Sequence, residues 1–335
     1  MKKFAWGTII VSVLLFSFLG FQHWQNQSEA KEQFRIGILI SGPERLEKVK
    51  GLKDGLQNLG YIEEMNVSYI VRNAKNDRNL MKKYASELDA MNLDVIVAGG
   101  AIEAKFFKEN KQGKTPVIFL GVASAGQLHL VENYKKPDGR MTGVENGHIE
   151  LSAKRLELFQ MLIPSIKKII VIYDGQIDAS LLSLEQVKKV AKEQGIQITP
   201  VSVSDTQHLE TLKKMNFKNN EGILVLPSFY LEEISSQLSQ IALQKKVPIF
   251  GVNINDVKNG FLLSYGVSYY DQGFQGASMV SRILQGQSSR DIPVEKPNTV
   301  RLLANSLTEK KLNIHFSKSG SAFIQRIPVT EREIE

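Results

Sequence analysis

The stretch from Phe34 to Gly60, FRIGILISGPERLEKVKGLKDGLQNLG, narrows the choice of fold more than any other part of the chain. Ile36-Gly37-Ile38-Leu39-Ile40 is a short apolar run, long enough for a buried strand and too short for a helix. Ser41-Gly42-Pro43 interrupts it, because no regular element continues easily through Gly-Pro. Leu46, Val49, Leu52, Leu56 and Leu59 then recur at steps of three and four, which places them on one helical face, and Gly60 ends the helix. Strand, glycine turn and amphipathic helix make the opening unit of a parallel α/β sheet. Ligands of such sheets sit outside the carboxyl ends of the strands, so Ser41, Gly42 and Pro43 lie where a site is expected.

The alternation continues. Val67 to Val71 reads as a second strand, Leu93 to Ala98 as a third ending in Gly99-Gly100, and Pro116 to Val122 as a fourth ending in Ala123-Ser124. Helices are expected from an Asp77 cap to Met91, near Ile102 to Glu109, and over Ser124 to Asn133. The loop Tyr134 to Gly143 breaks the rhythm and marks a domain boundary. Ile169 to Gly195 then repeats the opening unit: a strand to Tyr173, a turn at Asp174-Gly175, a helix from Asp178, and a glycine stop. Further strands follow at Ile196 to Thr199, Gly222 to Leu226, Val247 to Val252, Phe261 to Tyr265 and Thr299 to Leu303.

At 335 residues, two domains are expected: two α/β lobes with parallel sheets, facing each other across a cleft. Elements beyond two complete sets imply that the chain passes between the lobes more than once. The expected division puts 34–145 with 261–291 in lobe 1 and 146–260 with 292–328 in lobe 2, between an N-terminal segment 1–33 and a tail 329–335.

That N-terminal segment carries Lys2 and Lys3, then an apolar run from Phe4 to Phe21 without a charge, then polar residues. It reads as a secretory signal or as a single membrane helix; an uncleaved anchor fits a run of about 18 residues better. Lysines ahead of the span place the rest of the chain outside the membrane. The absence of cysteine excludes disulfides, thiolate metal sites and a lipid-modified cysteine. A net charge of +7 without a basic block gives no nucleic acid partner.

Catalytic and cofactor signatures are missing. Neither G-x-G-x-x-G nor G-x-x-x-x-G-K-[ST] occurs, so no nucleotide cofactor is expected. The five histidines are scattered, no metal spacing is present, and His148 reads as a surface histidine near the hinge. No G-x-S-x-G elbow exists, so the chain is not read as an enzyme. What remains are small polar and aromatic residues after strands. Besides the first turn they are Gly100, Ala101, Ser124, Tyr173, Asp174, Ser180, Ser228, Phe229, Asn253 and Tyr265, a set suited to a few placed hydrogen bonds and flat apolar walls around a small molecule.

Several stretches carry a resemblance. They are Gly51-x-x-x-Gly55 running to Leu59-Gly60-Tyr61, Arg140-Met141-Thr142-Gly143-Val144, Leu158 to Tyr173, Lys246-Val247-Pro248-Ile249-Phe250, and Gly273 to Gly286 continuing to Asp291-Ile292-Pro293-Val294. In this order and spacing the chain resembles the substrate-binding proteins of ABC transporters of the tryptophan and tyrosine uptake type. The resemblance implies a type I periplasmic-binding fold: two Rossmann-like lobes, three hinge crossings and closure on a small ligand. It also implies partnership with a permease and an ATPase, and an extracellular location at the membrane. An amino acid, aromatic ones included, is the implied ligand. A sensing ectodomain that signals through a membrane partner is the alternative reading of the same module.

Overall fold

The computed structural model describes residues 33–137 and 139–329. The membrane segment expected at the N-terminus lies outside them; among the described residues no helix is long and apolar enough to cross a membrane.

Lobe 1 is built on a parallel five-stranded sheet in the order β2-β1-β3-β4-β5. Its strands are β1 (Phe34–Ile40), β2 (Val67–Asn73), β3 (Val95–Ala98), β4 (Val117–Val122) and β5 (Met141–Glu145). The helices α1 (Leu46–Asn58), α2 (Arg78–Ala90) and α3 (Ala101–Glu109) connect them. Alternation along β1 decides the two faces. Ile36, Ile38 and Ile40 meet Val49, Leu52 and Leu56 of α1 on one side, and Leu39 joins Met81, Ala85 and Leu88 of α2 on the other. Asp77 caps α2 as expected, accepting from the N–H groups of Asn79 and Leu80.

Lobe 2 carries a seven-stranded sheet in the order β12-β11-β10-β9-β8-β6-β7. Its strands are β6 (Lys168–Tyr173), β7 (Gln197–Ser202), β8 (Glu221–Val225), β9 (Ile249–Gly251), β10 (Leu263–Gly266), β11 (Arg301–Asn305) and β12 (Gln325–Ile327). Its pairs are parallel except β10 with β11, where the chain arrives from the other lobe and not through a helical crossover. Helices α4 (His148–Leu162), α5 (Asp178–Gln194), α6 (Thr206–Lys214), α7 (Phe229–Glu233), α8 (Ser235–Gln244) and α9 (Ile254–Lys258) precede β10; α11 (Ser306–Lys311) and α12 (Lys318–Ser321) follow β11.

Between them, α10 (Tyr269–Leu284) returns to lobe 1 and packs along α1. The glycines of both helices make this contact unusually close. A Cβ at Gly51 would stand 2.1 Å from the Tyr270 carbonyl oxygen, and one at Gly273 would stand 1.9 Å from that of Lys48. Backbone therefore meets backbone, and the first turn of α1 is pinned beneath the start of α10.

The chain crosses between the lobes between Glu145 and His148, between Gly266 and Tyr269, and between Glu295 and Arg301. The second and third crossings fall later than residues 261 and 292. Leu263 and Ser264 are hydrogen-bonded to β9, which keeps the strand after Phe261 in lobe 2. Ile292 is buried in the lobe 1 core and Glu295 pairs with Val144, which keeps that segment in lobe 1. Two local expectations also change. Residues 124–133 form successive turns and no helix, with His129 at φ +54° interrupting any helical run. The boundary loop gives way to β5 at Met141, because Gly143 lets the strand lie against Phe119: a Cβ there would be 2.1 Å from the Phe119 carbonyl oxygen.

Candidate ligand-binding cleft

The carboxyl ends of the two sheets face each other across a cavity of about 310 Å³. Lobe 1 contributes residues that follow β1, β3 and β4, and lobe 2 contributes residues that follow β6, β8 and β9. Ile102, Phe106 and Leu128 of lobe 1 and Ile177, Ala179 and Phe229 of lobe 2 supply the apolar wall.

The polar wall is dominated by buried charge. Arg45 and Lys48 stand at the start of α1, only 6% and 1% exposed. Arg45 Nη1 donates to the Gly99 carbonyl at 2.8 Å, and its Nε lies 3.9 Å from Glu103 Oε1. Lys48 Nζ donates to the carbonyls of Gly99 at 2.7 Å and Leu120 at 2.9 Å. From lobe 2, the Phe229 ring stacks on the Arg45 guanidinium, with Cζ 4.4 Å from the ring centroid. The Tyr269 ring lies 4.8 Å from Lys48 Nζ, and its hydroxyl donates to Glu232.

Burial opposes the charge of Arg45, but Glu103, Tyr269 and Glu232 outweigh it and hold the guanidinium above its ordinary pKa. For Lys48 the balance is reversed: burial, reinforced by Arg45, outweighs Glu103 and Glu232 and pushes its ammonium well below the usual amine range. Burial raises Glu232, with Arg45 pulling the other way, and lifts Asp256 to about 6 against the N–H groups of Asn253 and Val252. Among the described residues no group of histidines and carboxylates could hold a metal ion.

His148, expected at the surface, is buried at the hinge. Arg155 Nη2 lies 3.0 Å from its Nδ1, and since a guanidinium only donates, Nδ1 accepts and the ring proton sits on Nε2. Burial first, then Arg155, lowers the imidazole well below its ordinary pKa. Arg155 also donates from Nε to the Tyr265 carbonyl at 2.7 Å and from Nη1 to Ser152 Oγ at 3.0 Å, which ties α4 to the end of β10. On the opposite side of the hinge, Lys296 pairs with Glu145 at 2.7 Å and with Glu150 at 3.2 Å. Gly121 completes this region on the cavity wall: its φ is +69°, and a Cβ would stand 1.7 Å from Gln272 Oε1.

Of the residues singled out from sequence, Ala101, Ser228, Phe229 and Asn253 border the cavity. The others stand behind it. The N–H of Ser41 donates to Glu103 Oε1 at 2.7 Å, and Gly42 and Pro43 are used in the short 3₁₀ turn that leads into α1. Gly100 makes room for the guanidinium: a Cβ there would be 2.5 Å from Arg45 Nη1. Ser124 Oγ turns to the Tyr134 hydroxyl at 3.4 Å. Tyr173 and Tyr265 pack against the lobe 2 core. The N–H of Asp174 donates to Ser180 Oγ at 2.9 Å, and Asp174 Oδ2 accepts from Ser228 Oγ at 2.7 Å, so both residues order the turn that presents Phe229.

The strongest polar groups of the wall were not among the expected ones. Arg45, Lys48 and Leu52 share steps of three and four, so the charges lie within the buried stripe of α1; that spacing was the available signal. Glu232, Asp256 and Tyr269 offered none, since each looks like an ordinary first-turn residue of a short or amphipathic helix.

Comparison with known proteins agrees with this architecture. A family model described as "ABC transporter substrate binding protein" matches residues 34–322. A tyrosine-binding protein of Clostridioides difficile is 26% identical over 291 residues, covering 86% of this chain and 83% of the relative. A solved structure from Streptococcus pneumonia, described as an ABC domain in complex with L-Trp, superposes with a TM-score of 0.78 at 23% identity, covering 89% of this chain and 100% of that one. A ligand-free, open substrate-binding protein with adhesive properties from Clostridium difficile gives 0.70 at 22% identity, with coverage of 89% and 100%. With a two-lobed α/β architecture, a cleft between the lobes and a family match over nearly the whole described chain, this protein belongs to the substrate-binding proteins of ABC transporters and is a binding protein, not an enzyme.

Proposed function

We propose that the chain is the solute-capturing component of an ABC importer, held at the outer face of the cell membrane by its N-terminal segment, and that it delivers an amino acid to a permease driven by an ATPase. The observation that carries the reading is the cavity itself. It is walled by both lobes, and it combines buried cations, a buried and a half-buried carboxylate and an aromatic ring within about 310 Å³, a volume suited to one amino acid. The tyrosine-binding relative and the L-Trp complex favour an aromatic side chain, and Phe229 with Phe106 and Ile102 gives such a ring apolar company.

Capture works through lobe closure. A ligand that touches both walls favours the closed arrangement by the free energy of the contacts it makes only there. The Lys105–Asp178 ion pair at 2.7 Å already links α3 to α5 across the mouth. Thermal unfolding of the purified full chain against the amino acids, nucleosides and short peptides tests the reading. One amino acid is expected to raise the midpoint at micromolar concentration. A midpoint that no member of the panel moves would overturn it.

A further inference from the structure

We infer that Arg45 and Lys48 form an anion subsite, so that the solute is held by a carboxylate gripped by side chains of lobe 1. This rests on the reading of the cleft as a solute site and adds which chemical group the cleft reads and where.

Three features of this pair are unfavourable without an anion. Both side chains are withdrawn from water, at 6% and 1% exposure. They stand one helical turn apart, so two like charges face each other in a medium that screens them weakly. They also occupy the start of α1, where the unpaired N–H groups of the helix already create positive potential.

The negative groups nearby keep Arg45 charged, but they do not take up the donors of the pair. Among the described residues Lys48 has two carbonyl oxygens as hydrogen-bond partners and forms no ion pair with a carboxylate. Arg45 faces Glu103 at 3.9 Å, beyond a hydrogen bond, and Glu103 Oε1 is already taken by the N–H of Ser41. Glu232 accepts from Tyr269. Both cations border the cavity.

A carboxylate entering there meets the rigid fork of a guanidinium held flat by Phe229, and an ammonium beside it. It also lies at the favourable end of α1. The same carboxylate turned into an amide loses the charge that would pair with the two cations.

Isothermal titration of the full chain with sets of three compounds tests the inference. Each set comprises an aromatic L-amino acid, its carboxamide, and the 3-arylpropionate that lacks the amino group; benzoate is included as a bare aromatic carboxylate. The amino acid is expected to bind at least tenfold more tightly than its carboxamide. Arg45→Gln and Lys48→Met are expected to weaken the amino acid at least tenfold and to bring the acid-to-amide ratio towards one. The wild-type acid and amide pair decides the matter even if a variant fails to fold. Equal binding of amino acid and carboxamide would overturn the anion subsite and leave amino acid capture standing. Binding of arylpropionate or benzoate but no amino acid, with loss in both variants, would support the subsite and overturn the amino acid reading. Failure of every carboxylate to bind would overturn the subsite.

Discussion

Arg45 and Arg155 are both arginines withdrawn from water, one at the lobe 1 wall and one at the lobe 2 side of the hinge, yet their surroundings differ in kind. Arg155 has its donors taken up by the Tyr265 carbonyl, Ser152 Oγ, the His148 carbonyl and His148 Nδ1, all within 3.2 Å. No carboxylate pairs with it among the described ion pairs, and burial lowers its pKa to about 9. Arg45 sits among carboxylates that raise its pKa, but it makes one close hydrogen bond to a carbonyl and borders a cavity. The contrast shows that burial of a cation says little by itself. A cation whose donors are satisfied by its own fold holds the fold together, and one left short of partners at a cavity is arranged for something else.

The largest expected effect tests the structural half of this contrast. Arg155→Met should destabilise the fold by about 3 kcal/mol, since it removes the guanidinium donor from the Tyr265 carbonyl and from the buried acceptor nitrogen of His148. Urea unfolding checks it. Arg45→Gln, by contrast, should change stability by less than about 1 kcal/mol while weakening the solute, because the Gly99 carbonyl that Arg45 bonds keeps Lys48 Nζ as a donor. Equal destabilisation by the two substitutions would erase the distinction between them.

The hinge side should also dominate the pH response. Asp256, lifted from 3.8 to about 6, keeps its proton in the folded state, so its contribution to stability is lost as pH rises from about 4 to about 6. His148 stays neutral in the folded state below its ordinary 6.5, so its contribution is lost as pH falls beneath that value. The two oppose each other in one window. Asp256→Asn should make stability rise more steeply with pH there, and His148→Gln should make it rise less or fall; urea midpoints between pH 4 and pH 7 give both slopes. Slopes that shift in the same direction would contradict the opposed assignments.

The smallest effect belongs to the exposed link between lobes. Lys105 and Asp178 are 45% and 61% exposed at their side chains, so Lys105→Ala should cost about 0.5 kcal/mol or less. It should quicken solute release a fewfold at low salt, and stopped-flow dissociation should show the difference vanish at high ionic strength. A large effect that survives salt would move the closing contact from the cavity to its mouth.

Much of this architecture was legible in Phe34 to Gly60. The strand, the turn and the helix lie where the apolar spacing put them, because periods of two and of about 3.6 residues follow from local backbone geometry. The repeat at Ile169 to Gly195 was legible for the same reason, and so were Phe229, Ser228, Asn253 and Ala101 as residues near the cleft. The turn Ser41-Gly42-Pro43 was placed correctly at the end of β1, but its polar groups are spent on Glu103 and on entry into α1.

What the sequence determined by itself was the series of elements and the two-lobed plan, since strand and helix are set by neighbours a few residues away. Which strand joins which sheet was left to pairing, as β10 shows by staying with β9. The stripe of α1 shows the limit most clearly: Leu46 and Leu59 at its ends are about half exposed, at 49% and 50%, whereas Lys48 is 1% exposed. Tertiary structure decided that, because α10 approaches α1 backbone to backbone at Gly51 and Gly273 and α7 brings Phe229 over Arg45 from the other lobe. The environment of a charge is set by what folds over it, and those segments lie far along the chain.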